Sequence, residues 1–161
     1  MKALDLSEIQ ERDKLGAAFH EAGHAAVALA LGSASVRAWI APTGTAKFME
    51  EKTWTGKCSY GNTNNESRAV IAVAGVVAEA IRGDEWNENW AEDFWLSADE
   101  LSPTDAEGMA GFNFEEIAAR AHAILTEGWR LVESIAAALM RDESLTDWQL
   151  LQLSKGRELA A

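Results

Sequence analysis

His20-Glu21-Ala22-Gly23-His24 sets two imidazoles four residues apart, inside a proline-free run from Leu15 to Leu31 rich in Ala, Leu, Phe and Val. On a helix, residues at that spacing stack on one face, so both rings can offer a nitrogen to one ion. Glu21 lies one step round the helix, within reach of a water bound to that ion. This is the HExxH arrangement, in which two histidines bind zinc and the glutamate acts as general base in hydrolysis. Two of the three histidines in the chain are in this stretch. A catalytic zinc also needs a third protein ligand, which other elements must bring to the helix.

The bulk numbers allow a core to hold such a site. A chain of 161 residues with 48% apolar and 25% charged residues is expected to form one soluble globular domain over 1–161. Cys58 is the single cysteine, so it has no disulfide partner and reads as a packing residue in a reducing compartment. The start, Met1-Lys2-Ala3-Leu4-Asp5, lacks the basic and apolar regions of a signal peptide. No apolar run is long enough to span a bilayer. Cytoplasm, with no membrane partner, is the expectation.

The net charge of −12 has one main source. Residues 83–119 carry eleven acids and no lysine or arginine, whereas the nine acids and nine bases of residues 1–82 cancel. Such a balance argues against a nucleic-acid partner. The acidic segment reads as a solvated loop, or as a feature favouring basic substrates if it borders the site.

Several elements are expected to position the motif. Ser7 to Gln10 has capping-box spacing, so the first helix should start near Ser7 and end before Gly32. Gly23 either lets another backbone come close or is a weak point of the helix costing about 1 kcal/mol. Val36 to Ile40 reads as a strand and Pro42 to Thr45 as a turn, with Phe48-Met49 and Thr53 to Thr55 as further short strands. This small antiparallel sheet is either a lid over the helices or an edge for an extended peptide. Thr63 to Glu66 has capping-box spacing before an apolar helix closed by Arg82 and Gly83. Its lone charge between Ala69 and Ile81, Glu79, needs a partner: a histidine N–H, the metal, or water. In residues 84–101, Trp86, Trp90 and Phe94 share the spacing of one helix face, to pack on the core or to wall a substrate.

Ser102 can cap a helix with Pro103 at its first position, placing Asp105 in the first turn. There Asp105 either balances the helix dipole or supplies the anionic third ligand. Asn113 opens a long last helix with Ile117, Ile124 and Leu131 a heptad apart. His122 on it reads as partly buried structure. Thr146 to Gln149 caps a short closing helix.

Taken together, these residues resemble the peptidase domain of the FtsH-type AAA metalloproteases. The likeness runs through Phe19-His20-Glu21-Ala22-Gly23-His24-Ala25, Val73 to Ala80 with its Ala-Gly and Ala-Glu pairs, Ser102-Pro103-Thr104-Asp105, and Leu139 to Leu151. It implies a mainly α (α+β), zincin-like fold, with a small antiparallel sheet between the first and second long helices. It further implies Zn2+ held by His20, His24 and Asp105, Glu21 as base, and Glu79 supporting a ligand from behind. The chain departs from the family in having no phosphate-binding Gly-x-x-x-x-Gly-Lys and no membrane span, in Val76 where arginine is usual, and in the acidic segment. ATP, a motor and a ring are therefore not implied. The resulting expectation is an ATP-independent zinc endopeptidase acting on unfolded proteins or short peptides. The alternative is a non-catalytic zinc-containing module that binds peptide or regulates, whose metal would be closed by a fourth ligand such as Glu79 or His122.

Overall fold

A computed structural model describes residues 5–44, 52–83 and 101–159. The long helix α1, Leu6–Ala30, runs through the centre of the fold. It starts earlier than expected. Asp5, not Ser7, is the cap: its carboxylate accepts from Glu8 N at 2.8 Å, and Glu8 accepts from Asp5 N at 3.0 Å. The acid at N3 selects the cap that reciprocates, and here that is two residues before Ser7. Glu21 through Ala28 are all buried, as an all-round apolar second half requires.

Two strands follow, β1 (Ala34–Pro42) and β2 (Trp54–Gly61), paired antiparallel with Ala38 opposite Cys58 and Ile40 opposite Gly56. Val36, Ala38 and Ile40 point into the core, the period-2 pattern of a half-buried sheet. The expected strand at Phe48-Met49 lies outside the described residues, as does most of the tryptophan-bearing segment 84–101. The sheet has a third strand that the sequence did not announce. β3 (Ser144–Leu145) pairs with the other side of β1, giving the order β2-β1-β3. Among the described residues, β2 therefore keeps one unpaired edge.

A buried carboxylate ties the sheet to α1. The Asp13 side chain, 2% exposed, accepts from both the N–H and the hydroxyl of Thr53 at 2.8 Å, at the entrance to β2.

The second long helix, α2 (Asn65–Arg82), is capped by Asn64, which accepts from Ser67 N at 2.8 Å, rather than by Thr63. It packs on α1 at very close range. A Cβ added at Gly23 would lie 2.6 Å from the carbonyl oxygen of Ala74 and 2.6 Å from the Ala78 methyl, so only glycine fits. Then come α3 (Pro103–Met109) against α2, and the helices α4 (Phe114–Glu127) and α5 (Trp129–Asp142). The expected single last helix is thus two, broken at Gly128, a poor helix residue. Ile117, Ala121 and Leu125 bury one half of the stripe, and Val132, Ile135 and Leu139 the other. The closing helix α6 (Asp147–Ser154) is capped by Thr146 with Gln149 in a capping box, as its sequence predicted. The architecture is mainly helical with one small antiparallel sheet, two of whose strands come between α1 and α2 and the third between α5 and α6. Among the described residues no helix is long and apolar enough to cross a membrane.

The Asp13–Thr53 anchor is testable. Burial alone would raise the Asp13 pKa, but the two bonds from Thr53 and the nearby Lys52 and Arg12 charges outweigh it, and the value falls below the ordinary 3.8. Its stabilisation is therefore complete above pH 3.8 and lost as the pH falls through the lower folded value. In urea unfolding at neutral pH, Asp13→Ala is expected to lose about 3 kcal/mol, because two buried donors lose a charged acceptor. That difference should shrink on acidification; a difference constant down to pH 2 would contradict the anchor.

Candidate metal centre

His20 and His24 lie on the α1 face turned towards α2 and α3. Their ring orientations are set from behind. His24 Nδ1 lies 2.6 Å from the backbone oxygen of Ile71, and His20 Nδ1 lies 2.8 Å from Glu79 Oε2. A carbonyl and a carboxylate can only accept, so each Nδ1 carries the proton and donates. Both Nε2 atoms then present lone pairs towards the same space, 3.1 Å apart. Two lone pairs facing at that distance need a cation between them, either a proton or a metal.

Asp105 closes the triangle. Its Oδ2 lies 3.4 Å from His24 Nε2 and 3.7 Å from His20 Nε2. Zinc bound at about 2.0–2.1 Å in a tetrahedron has ligands about 3.3–3.4 Å apart, close to all three edges. Ser102 delivers Asp105: its hydroxyl accepts from Asp105 N at 3.2 Å, with Pro103 opening the helix. Glu21 also falls within 4.8 Å of both histidines, but its Oε1 is 3.9 Å from His24 Nε2. Asp105 is therefore the better third donor. The Glu21 carboxylate is farther from His24 Nε2 than Asp105 is, though still beside the donor group.

The cradle beneath the donors is made of absent side chains. A Cβ at Gly75 would lie 2.5 Å from His20 Nε2 and 2.6 Å from His24 Nε2. At Gly56 on β2 it would lie 2.6 Å from Glu21 Cγ and 2.9 Å from Glu21 Oε2. One glycine keeps the two nitrogens together, and the other seats the carboxylate. Neither role was read from the sequence. For Gly75 a signal existed, since positions 68, 72, 75, 79 and 82 form one stripe of α2 that also carries Glu79.

The charges in this cluster depend on one another. Burial disfavours a charged His20, but hydrogen bonds to Asp105 and Glu79 and the Glu79 and Glu21 charges overcome it and lift the imidazole to about 10. Burial likewise works against an ionised Asp105, yet its contacts with His20 and His24 hold it well below the usual carboxylate range. Glu21 goes the other way. Its burial raises the pKa, and the pull of His24 and His20 does not cancel it. The two carboxyls are thus set apart: one stays an anion, and the other holds a proton more readily.

No protein-family model matches this chain, and no curated protein matches it.

The donors line a cleft of about 770 Å³ between α1, β2, α2 and α3. All the site residues predicted from sequence, His20, Glu21, His24, Glu79 and Asp105, meet in it. Of the alternatives left open for Glu79, the structure shows the bond to a histidine N–H. Cys58 also lines the cleft, where burial first, and then the Glu21 and Asp105 charges, push its thiol up, so it stays protonated. His122 is on α4, partly buried, and is not part of the donor group found among the described residues.

Gly75→Ala separates fold from site. Alanine favours the helix by up to about 1 kcal/mol, so the melting temperature should not fall far. The new methyl must push both imidazoles off position, and metal affinity, read by titration against a chelating dye, should drop about a hundredfold. Unchanged affinity would show that the ion does not sit where the two nitrogens converge.

Proposed function

We propose that this protein is an ATP-independent zinc endopeptidase, a free-standing relative of the FtsH-type peptidase domains. The observation that carries the reading is the triangle of His20, His24 and Asp105 with Glu21 poised outside it. Two imidazoles and a carboxylate are the donor set of many catalytic zinc sites, and they leave a fourth position for water or substrate. Zinc bound there supplies Lewis acidity, polarising the scissile carbonyl and lowering the pKa of the attacking water.

The remaining roles belong to the chain. Glu21 takes the proton of the attacking water and later passes it to the departing amine nitrogen; its raised pKa suits a group that must hold a proton between the two steps. Asp105 keeps its charge and so compensates a dication. Glu79 holds His20 by Nδ1, fixing the tautomer and making the ring a better donor. The unpaired edge of β2 runs along the cleft and offers its backbone to an extended peptide, in the manner of strand addition. A folded domain cannot lie along an edge in this way, which fits unfolded or short substrates. The absence of a phosphate-binding loop from the sequence fits work without ATP, and we take the compartment to be the cytoplasm.

A non-catalytic peptide-binding module is the competing reading. Against it, Glu79 is engaged with His20 Nδ1, and His122 is not part of the donor group, so among the described residues neither closes the fourth position. A structural metal would also have no use for Glu21.

The test is hydrolysis of fluorescently labelled casein by zinc-loaded protein without ATP, beside Glu21→Gln shown to bind one metal. Loss of the general base is expected to lower kcat by about 10²–10⁴-fold with zinc retained. Equal cleavage by both proteins would remove Glu21 from the mechanism.

A further inference from the structure

The α2 stripe facing the cleft reads Arg68, Ala72, Gly75, Glu79, Arg82. Its small middle residues make room for the donors, and an arginine stands at each end. Arg68 is at the His24 end, where its charge acts on the Tyr60 phenol at the close of β2 and its side chain packs near Gly108 of α3. Arg82 is at the other end, its guanidinium 5.3 Å from the centre of the Phe19 ring, next to His20. Fourteen residues are close to four helical turns, so both arginines point the same way, separated by ~21 Å of rise. An extended chain covers that distance in about six residues. β2 and this stripe line the same cleft, with Gly56 of β2 against Glu21, so a peptide in the cleft that spans the metal centre has an arginine of α2 on either side.

The charge on the walls adds to this. Of fourteen basic residues in a chain of net charge −12, five line the cleft: Arg12, Lys52, Lys57, Arg68 and Arg82. The four acids that line it all face inward partners: Asp13 holds Thr53, Glu79 holds His20, and Asp105 and Glu21 face the histidines. Among the described residues, no carboxylate is within salt-bridge distance of Arg68 or Arg82. Among the described residues, with Arg12 paired to Asp13, the walls of the cleft away from the histidines carry Lys52, Lys57, Arg68 and Arg82. At about 0.15 M salt the screening length is ~8 Å, so a peptide in the cleft responds chiefly to the charges that line it.

We infer that the cleft selects acidic peptides, with Arg68 and Arg82 gripping carboxylates about six residues apart on opposite sides of the scissile bond. Arginine suits this role because its planar fork meets a carboxylate through two parallel hydrogen bonds. The selection by rate rests on the peptidase reading; the selection by binding does not.

The experiment uses three peptides with one central sequence, carrying Glu, Gln or Lys at the third residue before and the fourth residue after the central bond, six residues apart, at 0.15 M salt. Cleavage is measured with the zinc-loaded full chain, and binding with zinc-loaded Glu21→Gln by fluorescence anisotropy. The Glu peptide is expected to exceed the Lys peptide by about tenfold in kcat/KM and in affinity, a modest return for two exposed charge contacts. In Arg68→Gln/Arg82→Gln the ratio should fall towards one. In Arg130→Gln/Arg141→Gln, which removes the same net charge from a separate groove, it should stay as in the wild type. Binding preference without any cleavage would uphold the selection of acidic peptides and sink the peptidase reading. Cleavage without charge preference would do the reverse. Preference for Lys, a ratio lost equally in both double variants, or no peptide binding at all would overturn the inference.

Discussion

The close crossing of α1 and α2 is the constraint on which the rest of the molecule depends. Gly23 lies so near Ala74 and Ala78 that even a methyl would overlap them. At that distance Ile71 can offer its carbonyl to His24, Glu79 can reach His20, and the bare backbone of Gly75 can lie under both rings. With larger side chains in the crossing, the helices would separate and each of these contacts would lengthen beyond use. The small-residue contact sacrifices apolar area, and the fold recovers it elsewhere, through Ile71, Leu125, Ile135 and Leu139 buried among α2, α4 and α5.

The site depends on opposite electrostatic demands being met within a few ångströms. Asp105 must remain charged where burial disfavours charge, and the two imidazoles secure this. Glu21 takes a proton more readily than a free carboxylate, through its burial, and it lies against β2 at Gly56. The same acidic pocket holds His20 protonated in the absence of a metal, so a metal entering it displaces that proton. Fold and function therefore meet in one arrangement: helix spacing puts the donors together, and the neighbouring helix and strand decide their protonation.

Much of this was legible in the sequence because it is local. The four-residue histidine spacing, the capping serine before Asp105 and the apolar periods of α1 and α2 are short-range signals, and the helices formed where they indicate. Caps were legible only to within a residue or two, since Asp5 and Ser7, or Thr63 and Asn64, compete for the same helix start and the reciprocating side chain decides. The break at Gly128 was masked by a heptad pattern that runs unbroken through two helices. β3 was not legible, because a two-residue strand has no period and owes its position to Ile40 N donating to the Glu143 carbonyl at 2.8 Å. Gly56 and Gly75 escaped for another reason: their contribution is the absence of a side chain against a partner far along the chain, and the sequence alone does not give those partners.

In the proposed site, three side chains from two helices converge on one ion with Glu21 held just outside its coordination. The most direct measurement is anomalous diffraction from crystals of the zinc-loaded protein, which locates the ion and its ligands together. The account predicts bonds of about 2.0–2.2 Å to His20 Nε2, His24 Nε2 and Asp105 Oδ2, with water in the fourth position and Glu21 hydrogen-bonded to that water. An ion ligated by Glu21 in place of Asp105, or by Glu79 released from His20, would contradict it.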